Sequence, residues 1–234
     1  MGKTRIEWVK NLDGSQGYTI NPVKGLCPVA CSYCYARRLY DRFKWNPEIR
    51  FEPMVNLPKK PSRIFVGSTM ELFGEWIDAF WLDSIFRTVR DNPQHTFIFL
   101  TKRPENLIKW NPFPENCWVG VSATSHNELA DRWGVMRQVN AFVKFVSLEP
   151  FLDWADAPHR PIYAEGIANS GIQWLIIGSQ TPMSEKTLPK REWVDEIILA
   201  TDKAGIPVFI KEPLASHYNI HRQEYPYEET ETCL

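Results

Sequence analysis

Short blocks of apolar residues recur along the chain: Ile64-Phe65-Val66, Phe97-Ile98-Phe99-Leu100, Trp118-Val119-Gly120-Val121, Phe142 to Val146, Leu175-Ile176-Ile177 and Val208-Phe209-Ile210. They are rich in β-branched and aromatic residues, too short for helices, and apolar at successive positions, which predicts strands of a parallel sheet covered on both faces. Tyr18-Thr19-Ile20 is a weaker block of the same kind. Between the blocks, Trp76 to Arg90, His126 to Val139 and Trp193 to Lys203 return an apolar residue every three or four positions and predict helices. Asp78 or Glu75 suits the start of the first, and Gly205-Ile206-Pro207 suits the end of the last.

Strand starts spaced by about 20–35 residues leave room for one crossover helix each, and right-handed crossovers curl such a chain into a barrel or an open sheet. The expected fold is α/β, a partial parallel barrel forming one domain over residues 1–234. A doubly wound sheet is the alternative, but no Gly-x-Gly-x-x-Gly follows the first strand and no Walker loop occurs, so nucleotide binding by those routes is not expected. Trp45 to Pro61 reads as a Pro-rich connection wrapping the barrel, and 217–234, polar and acidic, as a tail or lid.

Charge adds little globally: 27 basic and 28 acidic residues give a net −1, so no overall field draws the molecule to nucleic acid or membrane. The opening residues, Met1 to Trp8, lack an apolar signal-like stretch and no later run is long enough to span a bilayer. A soluble, cytoplasmic protein without membrane partners is expected. The 5 cysteines are odd in number and three crowd into eight positions, a pattern for metal chemistry rather than a disulfide framework.

Those three stand in Gly25-Leu26-Cys27-Pro28-Val29-Ala30-Cys31-Ser32-Tyr33-Cys34, a Cys-x3-Cys-x2-Cys spacing just after the Tyr18 block and before a helix-like Tyr35 to Phe43. Thiolates are the soft ligands that iron–sulfur clusters and zinc both prefer, and one loop can aim all three at a point. Structural zinc wants four closed ligands, yet there is no second Cys-x2-Cys pair, and His95, His126, His159, His217 and His221 are remote in sequence. A zinc loop, or three incidental buried cysteines, remains the alternative. Cys117 reads as a small buried residue at a strand entry, away from the chemistry, and Cys233 as part of the tail.

The loop resembles the radical S-adenosylmethionine superfamily, whose cluster motif has this spacing with an aromatic before the third cysteine, here Tyr33. With Asn21-Pro22, Leu100-Thr101-Lys102-Arg103-Pro104 and Ser147-Leu148-Glu149-Pro150, most of the chain is similar to a phage-associated, three-cysteine-motif group near the spore photoproduct lyase-like branch. The chain departs from that group at Gly178-Ser179-Gln180 and Lys211-Glu212-Pro213.

The resemblance implies a partial parallel (β/α)6 barrel, a [4Fe–4S] cluster on Cys27, Cys31 and Cys34 with one iron open to S-adenosylmethionine, and an external electron donor of the flavodoxin or ferredoxin type. It implies that Tyr33 packs near adenine and that Ser68 and Thr69, after the second strand, receive the methionyl ammonium. Lys102 would pair with the carboxylate, Ser122 reach ribose, and Glu149 accept from ribose or substrate. Lys102, Arg103 and Glu149 also suit an internal salt-bridge layer. Arg37, Arg38, Tyr40, Arg42 and Lys44 suit a phosphate-lined groove for a nucleotide or nucleic-acid substrate, or simply a solvated helix face. The expected function is reductive cleavage of S-adenosylmethionine to start radical chemistry; the alternative is a zinc- or cluster-stabilised module that binds nucleic acid or protein without catalysis.

Overall fold

The computed structural model describes residues 1–154 and 160–226, and the chain divides into two compact units. The first comprises Met1–Ser122 with Gln138–Phe142, the second Ala123–Arg137 with Val143–Leu234. Cys233 and His159 lie outside the described residues.

In the first unit a sheet runs in the order β1 (Gly2–Lys3), β2 (Tyr18–Ile20), β5 (Arg63–Val66), β6 (Thr96–Thr101) and β7 (Cys117–Ser125). All neighbours are parallel except the short β1. Register aligns Tyr18 with Ile64, Ile64 with Phe97, and Phe97 with Cys117, so Ile20, Val66 and Phe99 also fall in one row. Phe97, Ile98 and Phe99 are all fully buried, which explains why β6 shows no apolar–polar alternation.

Two short strands, β3 (Val23–Lys24) and β4 (Arg50–Phe51), pair antiparallel, and α1 (Tyr35–Phe43) lies between them in sequence. The Pro-rich stretch therefore returns to frame the cysteine loop rather than wrapping a barrel: the Leu26 N–H donates to the Pro47 carbonyl at 2.9 Å. Helix α2 (Ala79–Arg90) starts three residues later than its apolar periodicity suggests, because the Asp78 carboxylate caps it by accepting from the Phe80 N–H at 2.8 Å.

In the second unit β8 (Val143–Asp153), β9 (Trp174–Ile177) and β10 (Val208–Ile210) are parallel in that order, and β9 is buried at every position. Phe142 is exposed and the strand begins one residue after it. Helices α3 (His126–Met136), α4 (Arg160–Asn169), α5 (Arg191–Ala204) and α6 (Leu214–Tyr218) complete the unit. Ser125 caps α3 and Gly205, at φ +67°, ends α5 as its sequence predicts.

Helix α4 has no clear apolar stripe and carries Gly166, which hides it from periodicity. That glycine is needed: a Cβ there would meet the Trp133 ring of α3 at 2.2 Å. Past α6 the chain runs antiparallel to β10, with the Ile210 N–H donating to the Arg222 carbonyl and the Glu224 N–H to the Val208 carbonyl. No helix among the described residues is long and apolar enough to cross a membrane.

Candidate functional site

The C-terminal ends of β2, β5 and β6 carry the cysteine loop, the Gly67–Glu71 turn and Lys102, all within the first unit. In parallel α/β folds this is the end at which loops collect chemistry. The cysteine loop is shaped by backbone constraints at both ends. Gly25 sits at φ +115°, where a Cβ would lie 2.6 Å from the Glu48 carbonyl oxygen, so no other residue fits. Its N–H donates to the Tyr40 hydroxyl at 2.8 Å in a buried setting.

At the far end the Cys34 N–H donates to the Cys31 carbonyl at 3.1 Å. Cys34 then caps α1, its sulfur accepting from the Arg37 N–H at 3.5 Å. Arg37 also donates to the Cys27 carbonyl at 3.0 Å, tying the first cysteine to the helix behind the third.

All three thiols are free and half-buried. Burial pushes the Cys27 thiol above the ordinary range, against the opposing pull of the Glu71 and Val29 main chain. Among the described residues no three His, Cys, Asp or Glu side chains are gathered closely enough to hold a metal ion. The fit to a cluster therefore rests on the donor set: three soft sulfurs on one loop, N–H groups beside Cys27 and Cys34, and the N-terminus of α1 at the third.

Sequence reasoning passed over Glu71 as a site residue, although it is the hub of this region. Its carboxylate, almost wholly buried, accepts from the Thr101 hydroxyl at 2.6 Å, the Lys102 N–H at 2.7 Å and the Phe73 N–H at 3.0 Å. Burial pushes its pKa up despite those donors and the Lys102 charge. The signal in the sequence is one acidic residue in an otherwise apolar Met70-Glu71-Leu72-Phe73 stretch, a residue type rarely buried unless it is held.

Lys102 and Tyr33 are brought together, the ammonium lying 5.4 Å from the ring centroid. Ser68 and Thr69 are organised by Asn21, whose side-chain oxygen accepts from the Ser68 hydroxyl and the Thr69 N–H at 3.2 Å each. The Tyr35 hydroxyl donates to the Ser68 carbonyl at 2.9 Å, joining α1 to this turn. Ser122 is buried on β7, one residue beyond Val121, the register partner of Thr101.

Glu149 belongs to the second unit, where its carboxylate pairs with the Lys211 ammonium beside Gly178. Arg103 lies over Trp76 and makes a long contact with Glu105, at 3.8 Å. Of the three residues suited to an internal ion-pair layer, Glu149 is thus the one in a half-buried pair. Cys117 is fully buried at the entry of β7 and burial drives its thiol far above the ordinary range.

Residues 3–223 match the family described as a protein of unknown function, DUF5131. The chain belongs to this family. No curated protein matches. Two solved structures of spore photoproduct lyase are similar at 13% identity. A cysteine-to-serine mutant of that lyase covers 82% of this chain and 76% of its own, with a TM-score of 0.50. The lyase complexed with dinucleoside spore photoproduct covers 77% and 73%, with a TM-score of 0.44. The mutant's likeness shows the fold, the α/β partial barrel expected from the strand–helix rhythm of the DUF5131 chain.

Proposed function

We propose that this protein is a radical S-adenosylmethionine enzyme whose [4Fe–4S] cluster is held by Cys27, Cys31 and Cys34. The observation that carries the reading is the meeting, on one unit, of Tyr33 in the cysteine loop with Lys102, whose backbone Glu71 holds. Held by Cys27, Cys31 and Cys34, a bound cluster would supply one-electron reduction of S-adenosylmethionine, the electron coming from an external flavodoxin- or ferredoxin-type donor; cleavage of the C5′–S bond would give methionine and a 5′-deoxyadenosyl radical able to take hydrogen from substrate.

The chain's own residues bind and orient. Glu71 fixes the Lys102 backbone and Tyr33 holds its ammonium, so a flat adenine and a carboxylate find ring and cation side by side. Because Ser68 donates its hydroxyl proton to Asn21, its oxygen is left as an acceptor, as a methionyl ammonium requires; Thr69 flanks it. Ser122, buried within the neighbouring strand β7, is assigned to ribose. Glu149 is assigned to its ion pair with Lys211. The resemblance in the cysteine loop and strand ends supports placing the chain with the phage-associated group.

The test is anaerobic purification and reconstitution with iron and sulfide, followed by dithionite and S-adenosylmethionine. Brown protein with about four irons per chain and 5′-deoxyadenosine in the products is the expected result, with Cys31→Ser abolishing both. Colourless protein holding a single zinc after reconstitution would overturn the proposal in favour of a binding module.

A further inference from the structure

The chain as a whole is nearly neutral, but its charge is not evenly spread. From Tyr35 to Trp45, directly behind the third cysteine, stand Arg37, Arg38, Arg42 and Lys44 against Asp41 alone. Arg37 is engaged with the cysteine loop and Tyr40 is buried, so these two do not line a groove. The outer end of the helix carries Arg42, Phe43, Lys44 and Trp45, all exposed.

The two aromatics are not frayed side chains. Lys44 takes the left-handed conformation at φ +51°, and the Trp45 N–H donates back to the Tyr40 carbonyl at 3.3 Å. This reversal sets Trp45 edge-on against Tyr40 at 5.3 Å and stacks it on Phe43 at 5.6 Å with 20° between the rings. Arg42 sits 5.3 Å from the Phe43 centroid. Phe43 nevertheless remains 53% exposed and Trp45 46%. Single exposed apolar residues are ordinary; a fixed, stacked pair set among cations is not.

We propose that this end of α1, with Arg42, Phe43, Lys44 and Trp45, binds single-stranded nucleic acid and presents it to the cysteine loop. Flat rings held at half exposure match the faces of unstacked bases, which stack on aromatics whatever their sequence, and neighbouring cations match phosphates. A solvated helix face accounts for the charges alone; it gives no reason to hold two rings outward in a stack. An acidic protein partner would use the cations without needing base-sized platforms. The inference deepens the proposed function by naming a substrate class, and rests on that reading for the chemistry but not for the binding.

The test uses the reconstituted full chain and a fluorescein-labelled oligothymidylate of about twelve nucleotides, read by anisotropy over a range of salt. Expected is binding tighter than to the same-length duplex and not competed by polyglutamate. Phe43→Ala or Trp45→Ala should each weaken it about 5- to 150-fold. Arg42→Ala with Lys44→Ala should flatten the logarithmic salt slope by about 1.4. Because Trp45 packs on Tyr40, Phe43→Ala and the cation pair keep the test independent of that loop's folding.

In Phe43→Ala and in the Arg42→Ala, Lys44→Ala pair the iron content and the 5′-deoxyadenosine formed without substrate should stay at wild-type levels. Cluster and 5′-deoxyadenosine without oligonucleotide binding at low salt, or equal competition by polyglutamate, would overturn this inference and leave the proposed function standing. Oligonucleotide binding by a chain that holds no cluster would do the reverse.

Discussion

Replacing Glu71 is the sharpest probe of how the site is built. In Glu71→Ala, the Thr101 hydroxyl and the N–H groups of Lys102 and Phe73 lose their acceptor at once, in a place where Thr101 and Phe73 are almost fully buried. Each stranded donor costs about 1–3 kcal/mol, and relief of the carboxylate's own burial offsets part of the sum, leaving a net loss of about 2–5 kcal/mol. Glu71→Gln keeps one acceptor oxygen and the shape, so about 1–2 kcal/mol is expected.

The local readout is amide hydrogen exchange at Lys102 and Phe73, which should speed up about 10- to 1000-fold in the alanine variant, with urea unfolding giving the global figure. Because burial raises the native pKa of Glu71, the neutral carboxyl is the form folding favours. Its contribution relative to Glu71→Gln is therefore fully present below the ordinary glutamate range and is lost as pH rises through the raised native value. If both variants matched the wild type within about 0.5 kcal/mol, and the two amides kept their protection, the view of Glu71 as the organising group would be wrong.

Other expectations are simpler to state. Tyr40→Phe removes the hydroxyl that accepts from the Gly25 N–H, and should cost about 1–2 kcal/mol in urea unfolding and raise exchange at Gly25. Gly25→Ala forces a Cβ onto the Glu48 carbonyl and should prevent the cysteine loop from forming, seen as a loss of iron uptake on reconstitution. Lys211→Met leaves the Glu149 carboxylate without its partner; thermal melting should fall, and Glu149→Gln added to it should restore part of the loss. Ending the chain at Asn219 removes the segment paired with β10, including the Glu224 carbonyl that accepts from the Trp174 indole, and should expose β10 to proteolysis.

Much of the strand and helix rhythm was legible because it depends on local burial: β5, β6, β9 and β10 are apolar at nearly every position, and no other element type of that length hides both faces. What periodicity does not reach is set by contacts distant in sequence. Helix α4 depends on a glycine whose reason is the Trp133 ring, and the short β3–β4 pair depends on the chain returning about 25 residues later to the cysteine loop. Asp78 was readable as a cap, and the cap rather than the apolar stripe decided where α2 begins.

The same division runs through the site. Cys27, Cys31 and Cys34 announce themselves by spacing, and Tyr33 and Lys102 by position at a motif and a strand end; their meeting required the fold. Glu71 had no motif to advertise it, yet its carboxylate ties the end of β6 to the turn after β5. A residue with that position joins two strand ends through hydrogen bonds that no charge pattern encodes. The ends of β5 and β6 are thus held by one buried carboxylate, so the placement of Lys102 at that end of the sheet should respond to Glu71.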